Sequence, residues 1–316
     1  MKILVTGGCG FIGSNFIIYL LKNHPEDTVV NLDKLTYAGN LSNLSQLSKD
    51  RRYSFIKGDI SDRKIVMEVI KGCDAVVNFA AESHVDRSIA KPAPFIQTNF
   101  VGVSVLLEAS RKVRLKRFLQ VSTDEVYGSI PEKRKANEKS LLKPSSPYSA
   151  SKAAADLLCL SYFHTYKLPI LITRSSNNYG PRQHPEKLIP LFIQRALSNQ
   201  PLPLYGTGEN LRDWLYVEDN CLAIDLVLRQ GKEGEIYNIG TGKYYSNLQV
   251  AKMVLKILGK PFSLIQFVPD RPGHDWRYAV ACSKIEALGW KPRVKFEDGL
   301  RDTVTWYQTY FLNNKD

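Results

Sequence analysis

The chain is predicted to fold as a doubly wound parallel α/β sheet with a smaller C-terminal α/β lobe. Three observations carry this expectation. Short apolar runs of strand character alternate with stretches of helical apolar spacing through the first 175 residues, the pattern of parallel strands covered by helices on both faces. The first strand turns into its helix through a glycine-rich loop, and the second ends in a carboxylate twenty residues beyond the last glycine of that loop. At 316 residues the chain is long enough for one large sheet domain and a second lobe, with ample core.

The elements follow in order. Lys2–Thr6 (KILVT) reads as a strand and feeds Gly7-Gly8-Cys9-Gly10-Phe11-Ile12-Gly13, after which residues 16–21 are an apolar helical stretch. Glycines 7, 10 and 13 fall three apart. That spacing allows a sharp turn, a close backbone approach to a pyrophosphate, and tight packing of the new helix, whose N-terminal N–H groups suit an anion. A glycine triplet alone can also be a turn with no ligand. The next strand, residues 29–33, ends in Asp33, where a carboxylate accepts hydrogen bonds from a ribose diol and repels a 2′-phosphate. A Rossmann-type site for NAD rather than NADP is therefore expected.

Tyr53–Lys57 is the third strand and leads to Gly58-Asp59-Ile60; residues 61–71 have helical spacing, and residues 75–79 form the fourth strand. Asp59 could reach an adenine edge or cap the following helix. The fifth strand, residues 118–121, runs into Ser122-Thr123-Asp124-Glu125-Val126-Tyr127-Gly128. Adjacent acids drawn together into a low-dielectric cleft repel each other if both ionise, so a proton-transfer role explains them; a solvated strand end or helix cap is the alternative. Tyr148-Ser149-Ala150-Ser151-Lys152 opens a helical segment reaching about residue 166. Tyrosine and lysine four apart share a helix face. A neighbouring ammonium and a cationic cofactor would lower a phenol pKa from near 10 toward that of a usable base, though such pairs also arise by chance on solvated faces.

The glycine loop TGGCGFIG, the Tyr148/Lys152 pair and the strand end STDEVYG together resemble the extended short-chain dehydrogenase/reductase superfamily. Within it the chain is most similar to the nucleotide-sugar 4,6-dehydratases, and among those to the branch acting on dTDP-glucose. The likeness covers nearly the whole chain and includes AAESHVDRS (80–88), RSSNNYGPRQHPEKLIP (174–190), LRDWLYVED (211–219) and DRPGHDWRY (270–278). Related epimerases and decarboxylases share the fold and the tyrosine/lysine pair but usually lack the Asp-Glu pair.

The resemblance implies a cycle in which a sugar is oxidised at C4, loses water across C5 and C6, and regains hydride at C6, giving a 4-keto-6-deoxy product with no external reductant. It implies that Tyr148 is the base at the C4 hydroxyl, that Thr123 hydrogen-bonds the same oxygen, and that Lys152 holds the ribose and lowers the tyrosine pKa. Glu125 is then the base at C5 and Asp124, kept protonated, the acid at the departing C6 hydroxyl, since elimination needs two acids in opposite protonation states. The cofactor contacts it implies are Gly7, Gly10, Phe11, Ile12, Gly13, Asp33, Lys34, Asp59, Ile60 and Ala80, with Tyr148 and Lys152. For the diphosphate sugar it implies Asn178, Lys187 and Leu188; for phosphate and ribose Arg212, Arg271 and His274, guanidinium forks being suited to phosphate oxygens; for the base Pro203 and Tyr205. Asn247 aligns with a further substrate contact. His84 could touch the sugar or complete a core hydrogen bond.

Some positions depart from that pattern. The loop Gly240-Thr241-Gly242-Lys243-Tyr244-Tyr245-Ser246-Asn247 looks more like the loop of UDP-sugar relatives, and Trp276, Asn220 and Cys9 stand where arginine, histidine and alanine are usual. The loop and Trp276 lie at the nucleotide end, so they bear on thymine against uracil and leave the reaction class alone. A UDP-sugar 4,6-dehydratase acting on UDP-glucose or UDP-N-acetylglucosamine is the alternative, a UDP-sugar 4-epimerase a more distant one, and a non-catalytic NAD-binding sensor the rival from another class.

Bulk properties fit a cytoplasmic enzyme. Five scattered cysteines and five dispersed histidines suggest neither a disulfide framework nor a metal site. No signal peptide is read, because the first strand starts at Lys2, and no apolar run approaches the roughly 18 residues of a membrane span. The net charge of +12 admits nucleic acid, but no recognition motif accompanies it. The basic clusters are read as solvated faces with a general attraction for nucleotide-sugar diphosphates. Residues 1–175 are expected to form the cofactor domain, 176–316 the substrate lobe, with a strand near 231–241 returning to the main sheet. The family resemblance implies a homodimer; Leu106, Leu107, Leu157 and Leu158 are candidate contacts or else face the sheet.

Overall fold

The computed structural model describes residues 1–313. Its core is a seven-stranded, wholly parallel sheet. The strands are β1 (Lys2–Thr6), β2 (Thr28–Asp33), β3 (Tyr53–Lys57), β4 (Ala75–Asn78), β5 (Arg117–Thr123), β6 (Ile170–Ser175) and, after three strands of the second lobe, β10 (Glu235–Ile239). Their spatial order is β10-β6-β5-β4-β1-β2-β3. This is the doubly wound Rossmann arrangement, with its switch point between β1 and β4, where such sheets take their ligands. Burial explains the order: β4 and β6 are buried at every position, as strands covered on both faces must be, whereas the edge strand β3 alternates partly buried and exposed residues.

The helices of this half are α1 (Phe11–Asn23), α2 (Arg63–Val69), α3 (Val85–Ala90), α4 (Ala93–Ile96), α5 (Val103–Lys112) and α6 (Pro147–Tyr166). Side chains of β1 sort by the two-residue period of a strand: Ile3 and Val5 enter one apolar core with Phe16 and Leu20 of α1, while Leu4 enters the other with Leu106 and Leu107 of α5. Leu106 and Leu107 are therefore sheet-facing, not intersubunit contacts. Leu157 is 58% exposed, and Leu158 packs partly against the second core.

The second lobe holds β7 (Asn177–Tyr179), β8 (Leu202–Tyr205), β9 (Leu211–Tyr216), β11 (Tyr244–Ser246) and β12 (Ile265–Val268). They form a three-stranded sheet ordered β11-β9-β7 and a two-stranded pair β12-β8. Around them lie α7 (Leu188–Leu197), α9 (Asn247–Ile257) and α11 (Phe296–Asn313), whereas α8 (Val217–Gln230) and the short α10 (Ser283–Glu286) return to the main sheet, α8 packing beside α1 and α10 against β10. An aromatic cluster anchors the lobe: Phe296 of α11 lies 4.4 Å from Tyr245 and 5.1 Å from Tyr179, ring centre to ring centre. Among the described residues no helix is long and apolar enough to cross a membrane.

Candidate active site

The cleft opens at the C-terminal ends of β1, β2 and β4. Gly7 sits there with φ +70°, and a Cβ on it would stand 2.6 Å from the Ala80 nitrogen, so a larger residue would push the loops after β1 and β4 apart. Gly10 is the N-cap of α1 and offers no capping side chain; a Cβ there would meet only Gly7 O, at 3.3 Å. The first-turn N–H groups of α1, which no helix satisfies internally, thus meet the cleft at Phe11, Ile12 and Gly13, all of which line it. Asp33, at the end of β2, is held by two backbone donors, Cys9 N at 2.8 Å and Leu35 N at 2.8 Å. Burial nevertheless raises its pKa above the ordinary carboxylate value. Lys34 and Asp59 also line the cleft, with Ile60 and Ala80, and form a 2.7 Å ion pair. Asp59 is not the cap of α2: it accepts from Ser61 N, and Asp62 caps the helix by accepting from Lys64 N and Ile65 N. Three residues later than expected from the sequence, a second aspartate does the capping.

At the inner end of the cleft β5 runs two residues further than its apolar run, because Ser122 and Thr123 still pair with Arg174 and Ser175 of β6. Thr123 then caps a 3-10 turn, Asp124–Tyr127, accepting from Glu125 N at 3.2 Å and donating to Asp124 Oδ1 at 3.4 Å. The second oxygen of Asp124 is buried without a hydrogen-bond partner. Burial pushes the Asp124 carboxyl well above the usual range, and the neighbouring Glu125 and Asp213 add to that. Burial raises Glu125 as well, but three cations, Arg271, Arg212 and Lys187, oppose it. Both carboxyls are thus raised, Asp124 well above its ordinary value with Arg212 the one cation opposing, Glu125 with three.

Helix α6 begins opposite this turn. Ser146 and Ser149 form a capping box, each side chain accepting from the other's backbone N–H, which fixes Tyr148 in the first turn and Lys152 one turn on. Tyr148 is buried near the Thr123 side chain; burial and then Glu125 raise its pKa above the ordinary phenol value. The sequence expectation was a lowered value. The protein's own groups at this phenol are mostly apolar or anionic, and Lys152 directs its ammonium to Val121 O at 2.6 Å. Burial lowers the pKa of Lys152 itself.

Behind the turn is a buried polar chain that the sequence reading missed. Ser122 Oγ donates to Asp156 Oδ2 at 3.0 Å, and Arg174 Nε pairs with the same oxygen at 2.9 Å. Arg174 Nη1 donates to the Tyr127 hydroxyl at 2.9 Å, which donates to Asn238 Oδ1 of β10 at 2.8 Å. Asp156 lies four residues after Lys152, so helix periodicity alone could have flagged it.

The second lobe closes the cleft. Lys187 precedes α7 and donates to Ser83 O at 2.9 Å; Leu188 is the first residue of α7 and packs on the lobe's core. Asn178 donates to Ser176 O and Asn247 accepts nothing at its side-chain oxygen; the Oδ1 atoms of both are buried and unpartnered. Arg271 pairs with Asp86 at 3.2 Å, and its Nε is also buried and unpartnered. Tyr205 donates to Asp86 at 3.2 Å and meets the His274 ring edge-on, while His274 bonds Asp270 at 2.6 Å. Pro203 lies beside Tyr205 in β8, paired with Gln266. Arg212 is 5% exposed and spends its donors on the carbonyls of Leu211, Asp275 and Trp276, with its guanidinium 4.4 Å over the Tyr278 ring. His84 caps α3, its Nδ1 accepting from Arg87 N at 3.4 Å, so the structure gives it a local hydrogen-bonding role. Gln183, His184 and Glu186 of the second lobe line the cofactor cleft too, inside a motif whose other members were singled out.

Comparison with known proteins agrees with this geometry. The profile of the family described as GDP-mannose 4,6 dehydratase matches residues 4–303. The chain belongs to this family. A low-salt glycan biosynthesis protein, Agl12, of Haloferax volcanii is 54% identical over 97% of the chain and 98% of its own length. A dTDP-glucose 4,6-dehydratase of Streptomyces niveus is 51% identical over 98% of the chain and 93% of its own. Among solved structures, the dTDP-glucose 4,6-dehydratase DesIV of Streptomyces venezuelae, crystallised with NAD and TYD, superposes with a TM-score of 0.97 at 49% identity, covering 98% of each chain. Membership of the GDP-mannose 4,6 dehydratase family agrees with the parallel sheet and the glycine turn between β1 and α1.

Proposed function

We propose that the chain is an NAD-dependent hydro-lyase that converts dTDP-glucose to dTDP-4-keto-6-deoxyglucose. The observation that carries this reading is the pair Asp124/Glu125, adjacent on one turn opposite Tyr148, with Asp124 buried and Glu125 half-buried among three cations. Dehydratases named for dTDP-glucose at about half identity, two of them the relatives described above, support the same substrate. The residues fit the cofactor: an uncapped helix N-terminus for the pyrophosphate, Asp33 for the ribose diol, and the unpartnered Oε1 of Gln183 as a buried acceptor in the cleft. When bound, NAD supplies a reversible hydride site, accepting from sugar C4 and giving back at C6.

The remaining chemistry belongs to the chain. Tyr148, with Thr123 beside it, removes the proton of the C4 hydroxyl as C4 becomes a ketone; a bound, positively charged nicotinamide would offset the burial that raises the phenol. The C5 hydrogen is then alpha to a carbonyl, and the Glu125 carboxylate takes it. Asp124 donates its proton to the C6 hydroxyl, which leaves as water. Glu125 returns its proton to C5. Arg271 and His274, Tyr205 and Pro203, Asn178, Lys187, Leu188 and Asn247 hold the nucleotide sugar, and the burial of Arg212 makes it a brace for the 270–278 segment as well as a positive field.

We assign residues 1–175 with α8, β10 and α10 to the cofactor lobe, since α8 packs on α1 and α10 on β10, and the rest of the described chain to the nucleotide-sugar lobe. Homodimer formation is proposed through exposed apolar side chains of α4 and α6, among them Ile96 at 55% and Leu157 at 58% exposure. Five free thiols, four of them buried, suit a reducing cytoplasm.

The deciding experiment incubates the purified protein with dTDP-glucose, UDP-glucose and UDP-N-acetylglucosamine and reads the 4-keto product by its absorbance in alkali. Turnover of a UDP-sugar in preference to dTDP-glucose would assign the base differently; formation of UDP-galactose without loss of mass would mean an epimerase; NAD binding without turnover would mean a sensor. Two further outcomes follow from the site. Asp33→Ser removes the carboxylate that would accept from the ribose diol and is expected to weaken NAD binding by at least about tenfold, the effect of losing about 1.4 kcal/mol, while NADP is disfavoured less than before. Paired fluorescence titrations check this. Water loss should fall as pH rises through the raised pKa of Asp124, because the acid must carry its proton, and fall on the acid side as Glu125 becomes protonated. A single-turnover pH profile of elimination with no alkaline limb would contradict the assignment of Asp124.

A further inference from the structure

Both ends of the turn that carries Asp124 and Glu125 are tied to one buried ion pair. Ser122, just before the turn, donates to Asp156; Tyr127, its last residue, accepts from Arg174; Asp156 and Arg174 meet at 2.9 Å with side chains 0% and 2% exposed. Asp156 sits on α6, four residues beyond Lys152 and eight beyond Tyr148, so the three share one face of that helix. The guanidinium lies 4.9 Å over the Tyr127 ring, and the Tyr127 hydroxyl passes the chain on to Asn238 of β10. The Asp124 side chain has one bond, from Thr123, and Glu125 N–H meets the same hydroxyl; the turn's backbone is otherwise closed by Gly128 N to Glu125 O at 3.1 Å and Lys143 N to Val126 O at 3.0 Å, contacts that do not reach the acid side chains.

We propose that the Asp156–Arg174 pair, acting through Ser122 and Tyr127, is a positioning device that sets the Asp124/Glu125 turn against the Tyr148/Lys152 helix, so that water elimination depends on it far more than C4 oxidation does. Asp156 and Arg174 are positioning residues, since neither reaches the cleft. Oxidation needs the phenol of α6 and the sugar's C4, both placed by the helix itself. Elimination needs two carboxyl groups on a separate turn to meet C5 and C6 of the same ring, and it is this second relation that the ion pair fixes. A displacement of the turn by about 1 Å is enough to cost about a hundredfold in a step that relies on alignment.

The inference rests on the dehydratase reading of the site, and the test separates the two. Wild-type protein given dTDP-glucose must first yield the 4-keto-6-deoxy product; failure there sinks the reading itself. Tyr127→Phe then removes the hydroxyl that links Arg174 to Asn238 and leaves the ion pair intact. In single turnovers, oxidation is followed by reduced-nicotinamide absorbance and elimination by loss of the C6 oxygen in the product. Oxidation and KM are expected within about threefold of wild type and elimination down at least about thirtyfold, well inside the range of alignment effects. Arg174→Lys, which keeps the charge but loses the fork that spans Asp156 and Tyr127, is expected to shift the ratio the same way. A structural role alone would lower the melting temperature and the fraction of active enzyme but leave the ratio of the two steps where it was. An unchanged ratio in a folded Tyr127→Phe protein overturns the proposal, whatever Arg174→Lys does.

Discussion

Glu125→Gln is expected to oxidise dTDP-glucose at C4 near the wild-type rate and then stall, with removal of the C5 hydrogen slowed by about 10²–10⁴, the usual contribution of a positioned general base. The amide is isosteric with the carboxylate but cannot accept the proton. Burial already disfavours charge at this position, and the cations Arg271, Arg212 and Lys187 keep the carboxylate available; replacing it with a neutral group leaves those cations in place, so binding of the anionic substrate should persist. The measurement is exchange of solvent deuterium into C5 together with formation of the alkali-absorbing product. Exchange at the normal rate in Glu125→Gln would show that another group removes this hydrogen. Asp124→Asn should behave differently in one respect: C5 exchange survives, since Glu125 is intact, while departure of the C6 hydroxyl is lost.

Tyr148→Phe is expected to remove the first step. With no phenol, the C4 hydroxyl has no acceptor for its proton, because Thr123 is a neutral donor or acceptor and Lys152 is engaged with Val121 O. A loss of about 10²–10⁴ in C4 oxidation is expected, and because the C5 hydrogen is acidified only after oxidation, elimination disappears with it. The signature is absence of both reduced-nicotinamide absorbance and C5 deuterium exchange, against a melting temperature close to wild type, since the lost hydroxyl faces the cleft. Appearance of reduced cofactor at an undiminished rate would move the base to another residue.

The cofactor half was legible in the sequence because its signals are local. Strand and helix periods alternate without interruption, Gly7, Gly10 and Gly13 announce one turn, and Asp33, Asp124, Glu125, Tyr148 and Lys152 lie at or next to element ends that the pattern itself defines. What escaped was set by tertiary geometry. Asp59 and Asp62 are both plausible caps in one dimension, and only the loop path after β3 decides that Asp59 meets Lys34 and Asp62 meets the helix. Leu106 and Leu107 lie on neighbouring faces of a helix whose surroundings a sequence does not state. The pKa of Tyr148 depends on what fills the space around its ring, and that is burial and Glu125 rather than Lys152. The strands of the second lobe are short, three to six residues each, and pair across more than 30 residues of chain, so their period carries little signal. The tie through Asp156 and Arg174 joins positions 18 apart in the chain and is visible only once β6 lies against β5.

The placement of β10 has a consequence for how the molecule must be made. Until residue 239 has left the ribosome, β6 is the outermost strand of the sheet, with its outer row of peptide groups unpaired and its apolar side chains Ile170, Leu171 and Ile172 fully buried only in the finished fold. An open edge of that kind is a template for pairing with other chains. Roughly sixty residues separate β6 from β10, which at about 5–20 residues per second leaves the nascent sheet exposed for several seconds. Vectorial synthesis therefore places β7, α7, β8, β9 and α8 ahead of the strand that seals the main sheet, and truncation ahead of residue 235 should yield chains that associate through β6.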